Sequence, residues 1–105
     1  QEFFPGIGNW MVDEILWRVR IHPAERAGNL STAKQKALWE ETRFVTKGAL
    51  ATVGERGGDP PDDWLFHVRW KDGGICPLSG KSLVRETVAG RTTCWCPIRQ
   101  RIAKR

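Results

Sequence analysis

Residues 54–63, GERGGDPPDD, limit the fold more than any other segment. Glycine is entropically costly in any regular element, and the paired prolines lack backbone N–H groups. No helix or strand can therefore run through this stretch. The apolar patterns on its two sides differ. Before it, apolar residues recur every three to four positions; after it, they alternate. The chain is thus expected to be α+β and mainly helical, with a helical bundle followed by a small antiparallel β-hairpin. The expected division is residues 1–58 and residues 59–105. A length of 105 residues allows a modest core.

Residues 9–20 carry helical spacing. Asn9 is a good N-cap, and Asp13 and Glu14 lie near the first turn, where the helix dipole favours acids. Met11, Ile15 and Val19 line one face, with Val12 and Leu16 beside them. His22-Pro23 marks a turn. After Gly28-Asn29, Ser31 caps a longer helix with a stripe of Leu30, Leu38, Val45, Ala49 and Val53. Ala33, Ala37, Phe44 and Leu50 widen that stripe. Gly48 is expected to loosen this helix and Gly54 to stop it.

In the second part, Trp64-Leu65-Phe66 reads as an apolar anchor. Phe66, Val68 and Trp70 alternate as in a short strand. Residues 71–74, KDGG, form a turn. Residues 82–88 and 91–95 read as two strands joined tightly at Ala89-Gly90.

A net charge of +5 favours a polyanionic partner. Residues 91–105 hold Arg91, Arg99, Arg101, Lys104 and Arg105 and no acid, which suits a solvated tail or non-specific attraction. No apolar run is long enough to span a bilayer. Three cysteines, two of them separated by a single residue, do not make a secreted disulfide framework. An intracellular, reducing compartment is expected. The six tryptophans are expected to serve mainly in packing.

Two stretches carry chemistry. In PGIGNW, residues 5–10, Gly6 and Gly8 leave the backbone open to a phosphate. The unpaired N–H groups and dipole of the following helix attract an anion there. Asn9 adds an amide donor, or serves only as a cap. Glycine before a helix also fits a plain turn. The second stretch holds Cys76, Cys94 and Cys96, placed in a hairpin where a closed zinc site would need four donors.

The segment FFPGIGNWMVDEILWRVRIHP resembles the start of the helix–two-turn–helix domain of the formamidopyrimidine-DNA glycosylase and endonuclease VIII family. GIGN, the acid pair and the Ile-His-Pro turn carry the resemblance. It resumes in the C-terminal hairpin and covers nearly the entire chain. It implies that Asn9, with Gly6 and Gly8 shaping the loop, holds phosphates beside a damaged nucleotide. It also implies that Arg91, at the hairpin tip, reaches phosphates flanking the everted nucleotide. The alternative for Arg91 is a solvated turn arginine.

The family's finger pairs two C-x2-C knuckles. In CPLSGKSLVRETVAGRTTCWCPIRQ, Cys76 and Cys96 hold the first position of each knuckle, and Ser79 and Arg99 hold the second. A guanidinium cannot coordinate a metal. A zinc-free finger and no cofactor are therefore expected, with Ser79 and Arg99 replacing metal bonds by a hydrogen bond. Trp70, Leu83 and Trp95 are expected to pack the hairpin. A site built from Cys76, Cys94, Cys96 and His67 is the alternative, and it requires the hairpin to rotate.

The resemblance implies the DNA-binding C-terminal portion of a base-excision-repair glycosylase and AP lyase. Its partner would be double-stranded DNA carrying an oxidised base, with no membrane partner and a monomeric state. The family's nucleophile is an N-terminal proline amine, assisted by a neighbouring glutamate. Pro5 is internal and its nitrogen is a tertiary amide, so no catalytic residue is expected here and the chain alone should be inactive. The chain starts at Gln1 and is expected to be part of a longer protein. The short connection before the hairpin leans towards the endonuclease VIII-like branch. A non-enzymatic nucleic-acid-binding module with the same helical motif is the alternative. An interaction module with a redox-active Cys94/Cys96 pair ranks below it, since nothing places those thiols at a helix N-terminus.

Overall fold

A computed structural model describes residues 9–54, 57–88 and 90–101. Helix α1 spans Asn9–Val19 and α2 spans Thr32–Ala49. Strands β1, Val84–Val88, and β2, Arg91–Trp95, form one antiparallel hairpin. Its register pairs Val84 with Trp95 and Val88 with Arg91. A two-residue turn therefore joins the strands, with Gly90 at a φ of 83°.

Helix α1 ends where Arg20 adopts a left-handed φ of 62°. The Ile21 N–H then returns to the Leu16 carbonyl at 3.0 Å, and the Arg20 N–H to Trp17 at 3.4 Å. This closure is usually built on glycine. Here the burial of Ile21 and Leu16 in one cluster holds it. Two turns follow, closed by Glu25 N–H to His22 O and Asn29 N–H to Arg26 O, each 3.0 Å. The Ser31 hydroxyl caps α2 by accepting from the Lys34 N–H at 3.1 Å. The Lys34 ammonium donates to the Val19 carbonyl, tying the start of α2 to the end of α1.

The core has two parts, and α1 contributes to both. Val12, Ile15, Leu16, Val19 and Ile21 meet Val45 and Trp64 on one side. Trp17 meets Leu65, Cys76, Leu83, Cys94 and Cys96 on the other. Trp17 is fully buried, whereas Trp70 is 51% exposed. The indole packed against the hairpin interior is therefore Trp17, not Trp70. An indole buried this way is worth about 3–5 kcal/mol against alanine.

The α2 stripe is narrower than its sequence pattern. Val45 and Ala49 are buried, while Phe44 and Leu50 are exposed, because among the described residues α2 packs against α1 along one face. Gly48 does not loosen the helix. A Cβ there would lie 2.7 Å from Trp64 Cη2, so glycine admits the Trp64 ring. Past Ala49 the backbone widens into a π-type turn, Leu50–Gly54.

The alternating residues after Trp64 do not form a strand. Leu65–His67 is a 3-10 turn. The Glu14 carboxylate accepts from the Leu65 N–H at 3.0 Å and the Phe66 N–H at 2.8 Å. One acceptor holds two successive N–H groups, which a pleated strand would point to opposite edges.

Candidate nucleic-acid interface

The second turn of α1 carries two adjacent acids, Asp13 and Glu14, and both are buried. Burying a carboxylate is costly unless donors replace its water. Asp13 has five such hydrogen bonds. Arg69 donates from Nε and Nη2 to Oδ2 at 3.1 and 2.6 Å. The Cys94 N–H also reaches Oδ2, at 2.9 Å. Arg91 Nη1 donates to Oδ1 at 3.0 Å, and the Thr93 hydroxyl donates to the same oxygen. A single carboxylate thus joins α1, the loop before the hairpin and strand β2. Two guanidiniums share one negative charge, so the cluster keeps a net positive charge.

Glu14 ties α1 to the same loop. Burial lifts its carboxyl above the ordinary 4.5, against the Leu65 and Phe66 N–H groups and the Arg18 charge, which pull it down. Arg18 Nε donates to Glu14 at 3.2 Å while its guanidinium lies 4.7 Å from the Trp64 ring centre. The two acids are therefore tertiary anchors in the body of the helix. They are not first-turn acids placed for the helix dipole.

Arg91 is not a solvated tip arginine: its side chain is only 18% exposed and is held by Asp13. Helix α1 begins at Asn9, the residue expected to cap it. Gly6 and Gly8 lie outside the described residues. Asp13, Arg69 and Thr93 were absent from the sequence-based site. Their signal was an acid pair embedded among Met11, Val12, Ile15, Leu16 and Trp17, where the surrounding apolar residues force burial.

The finger positions keep their turns. Cys76 O accepts from the Gly80 N–H at 2.9 Å, and Cys96 O from the Gln100 N–H at 2.8 Å. Between the turns, the Ser79 hydroxyl lies 3.3 Å from Cys96 Sγ. The Ser79 N–H and the Trp17 indole donate to Cys76 Sγ at 3.3 and 3.2 Å. Arg99 turns elsewhere, donating to the Trp17 and Arg18 carbonyls at 3.2 and 3.3 Å. The buried Gln100 side chain accepts from the Cys96 N–H and donates to Ile21 O. His67 faces Pro60 O at 2.8 Å. Among the described residues, no group of three or more His, Cys, Asp or Glu is placed to hold a metal ion. The donors at the finger positions, with a hydroxyl and a guanidinium among them, do not fit zinc.

Burial pushes the Cys76 thiol up. The Ser79 hydroxyl and N–H, the Trp17 indole and the Leu78 N–H together outweigh it and bring the thiol from 9.0 to about 7. Burial and the Asp13 charge push Cys94 up to about 11.

The fold and site define a helix–two-turn–helix domain joined to a finger-like hairpin. A family profile described as "Formamidopyrimidine-DNA glycosylase H2TH domain" matches residues 1–57. The chain belongs to this family. A formamidopyrimidine-DNA glycosylase of Arabidopsis thaliana is 36% identical over 97% of the chain and 26% of its own length. One from Roseiflexus is 34% identical over 96% of the chain and 40% of its own length. The chain therefore spans roughly a quarter to two fifths of these relatives. Both carry the formamidopyrimidine name, against the endonuclease VIII-like leaning suggested by the short connection.

Solved structures agree. The Lactococcus lactis Fpg in complex with FAPY-dG-containing DNA matches with a TM-score of 0.74 and 29% identity. That match covers 92% of this chain and 37% of the other. Thermus thermophilus MutM matches with a TM-score of 0.71 and 31% identity, over 90% and 40%.

Two outcomes follow from the geometry. Asp13→Asn leaves the Arg69 guanidinium buried without its counter-charge, and should cost about 3–5 kcal/mol in urea unfolding. For Cys76 the folded value lies below the unfolded one. Between pH of about 7 and 9.0 the unfolded chain therefore holds a proton that the folded chain has released. Stability should rise with pH across that window and lose the gain as pH falls through about 7. Unfolding curves at both ends of the window should show the rise in the native chain and not in Cys76→Ala.

Proposed function

We propose that this chain is the DNA-gripping portion of a base-excision-repair DNA glycosylase and AP lyase. It holds phosphates around a damaged nucleotide in double-stranded DNA. The observation carrying this reading is the tether from the buried Asp13 to Arg91, 3.0 Å long. It fixes a guanidinium on the hairpin relative to the helix that starts at Asn9, so phosphate donors from two elements keep one spacing. Fixed donors lose little entropy when they bind. Relatives supply the context: one Lactococcus lactis Fpg structure is a complex with abasic-site DNA.

Base removal and strand cleavage belong, in this reading, to the rest of the protein's length. The 105 residues bind without excising a base. The donor set of Cys76, Ser79, Cys96 and Arg99 supports a finger closed by hydrogen bonds instead of zinc. Three free, buried thiols suit a reducing compartment. No helix among the described residues is long and apolar enough to cross a membrane.

The test of the grip is a salt series on a duplex carrying an abasic-site analogue. Arg91→Ala should weaken binding about ten-fold or more and make the salt dependence shallower by about one contact. Arg91→Lys should retain the charge term and lose the fork. Equal affinity and slope for the native chain and Arg91→Ala would refute the assignment. For the finger, metal analysis of purified chain should find zinc well below one equivalent, with unfolding indifferent to a chelator. One zinc per chain would sink the metal-free reading.

A further inference from the structure

Where α1 ends and α2 begins, the chain encloses a recess of about 250 Å³, lined in part by Arg20, His22, Glu25, Ser31, Lys34 and Arg101. It lies at the far end of α1 from Asn9, about 15 Å away by helical rise. It is also at the far end of the hairpin from Arg91. The His22 ring meets Trp95, the last residue of β2, at 4.3 Å. The space is small for a drug-sized ligand and sufficient for a phosphate group.

Among the described residues, three cations line the recess, Arg20, Lys34 and Arg101, against one acid. That acid, Glu25, is buried and already engaged. Burial lowers His22, against Glu86 and Glu25, so the imidazole adds no charge near neutral pH. The carbonyls ending α1 are already served. Lys34 donates to Val19 O, and Arg99 donates to the Trp17 and Arg18 carbonyls. Arg20 is surplus to that end, and its left-handed backbone carries strain that glycine would avoid.

The cations repel one another. Burial holds the Lys34 ammonium below its ordinary 10.5, and the Arg20 and Arg99 charges push it the same way. Burial, Arg20 and Arg18 likewise lower Arg99, against Cys76 and Cys96. The start of α2 adds to the positive field. Its first turn holds Lys34 and no acid, whereas a helix start favours an anion. The Ser31 hydroxyl takes the Lys34 N–H, and the Thr32 and Ala33 N–H groups have no acceptor within the helix. A bound anion relieves the repulsion and meets the helix start together.

We propose that this recess binds one phosphate group, with Arg20 and Arg101 as its direct contacts and Lys34 and the start of α2 completing the positive field. The site does not rest on the DNA-gripping reading, since neither Asn9 nor Arg91 lines it. The phosphate is either a free anion or part of a nucleic-acid backbone. Guanidiniums meet both with the same fork of N–H donors.

The experiment follows the backbone amide NMR signals of Ile21, Thr32 and Ala33 in the 105-residue chain. Inorganic phosphate is added at constant ionic strength, with chloride as the compensating salt. The shifts should saturate in the native chain. Arg20→Gln combined with Arg101→Gln should weaken phosphate about ten-fold or more. Arg101→Gln alone, outside both helices and the hairpin, should weaken it by less and keep the fold intact. The titration is then repeated with excess paired duplex. A demand for about ten-fold more phosphate assigns the recess to a nucleic-acid backbone. An unchanged curve assigns it to a free anion. Shifts that never saturate, or that saturate equally in the native chain and both variants, overturn the site and leave the grip at Arg91 standing.

Discussion

The Asp13 carboxylate is the interaction on which the rest depends. It lies in the interior, where an isolated charge would be severely unfavourable, and is tolerated because five hydrogen bonds surround it. Those donors come from two separate stretches of chain, the loop at Arg69 and strand β2. Each is therefore placed by the same point. The loop bearing Arg69 and the strand bearing Arg91, Thr93 and Cys94 cannot shift independently without leaving a charge unpaired. Glu14, one residue on, does the same for the turn at Leu65. A pair of acids thus does by hydrogen bonding what a larger apolar interface would do by area.

The thiol side of the hairpin is organised on a different basis. Here the work is divided. The Ser79 hydroxyl reaches Cys96 across the gap, the Trp17 indole reaches Cys76 from the helix, and Gln100 bridges Cys96 to Ile21. Arg99 has left the knuckle for the carbonyls at the end of α1, where a positive charge complements the helix dipole. The hairpin is consequently fastened to the helix and not only to itself.

Much of this was legible in the sequence. Both helices, the Ser31 cap, the hairpin and its two-residue turn followed from spacing and turn chemistry, which are local. The departures within the fold were tertiary. Phe66 to Trp70 alternates like a strand, but Glu14 from another element curls the segment into a turn. Phe44 and Leu50 extend a helical stripe that the described residues cover only in part. Gly48 reads as a weak point and is a point of contact. Arg91 could be marked from family resemblance, yet its tether could not, because Asp13 lies 78 residues away in the chain. Long-range pairs leave no periodic trace. What the sequence did offer was an acid pair inside an apolar run, a pattern that makes sense only if the acids are paired.

Helix α1 is enclosed on more than one side: α2 and Trp64 cover one face, the hairpin and its thiols another, and its acids bind loop and strand. Its backbone amides accordingly have no small-scale opening that spares the rest of the molecule. Freeing them exposes both apolar clusters and both carboxylates in one event, so their exchange with solvent follows global unfolding. The bundle and the hairpin then melt as a single cooperative unit.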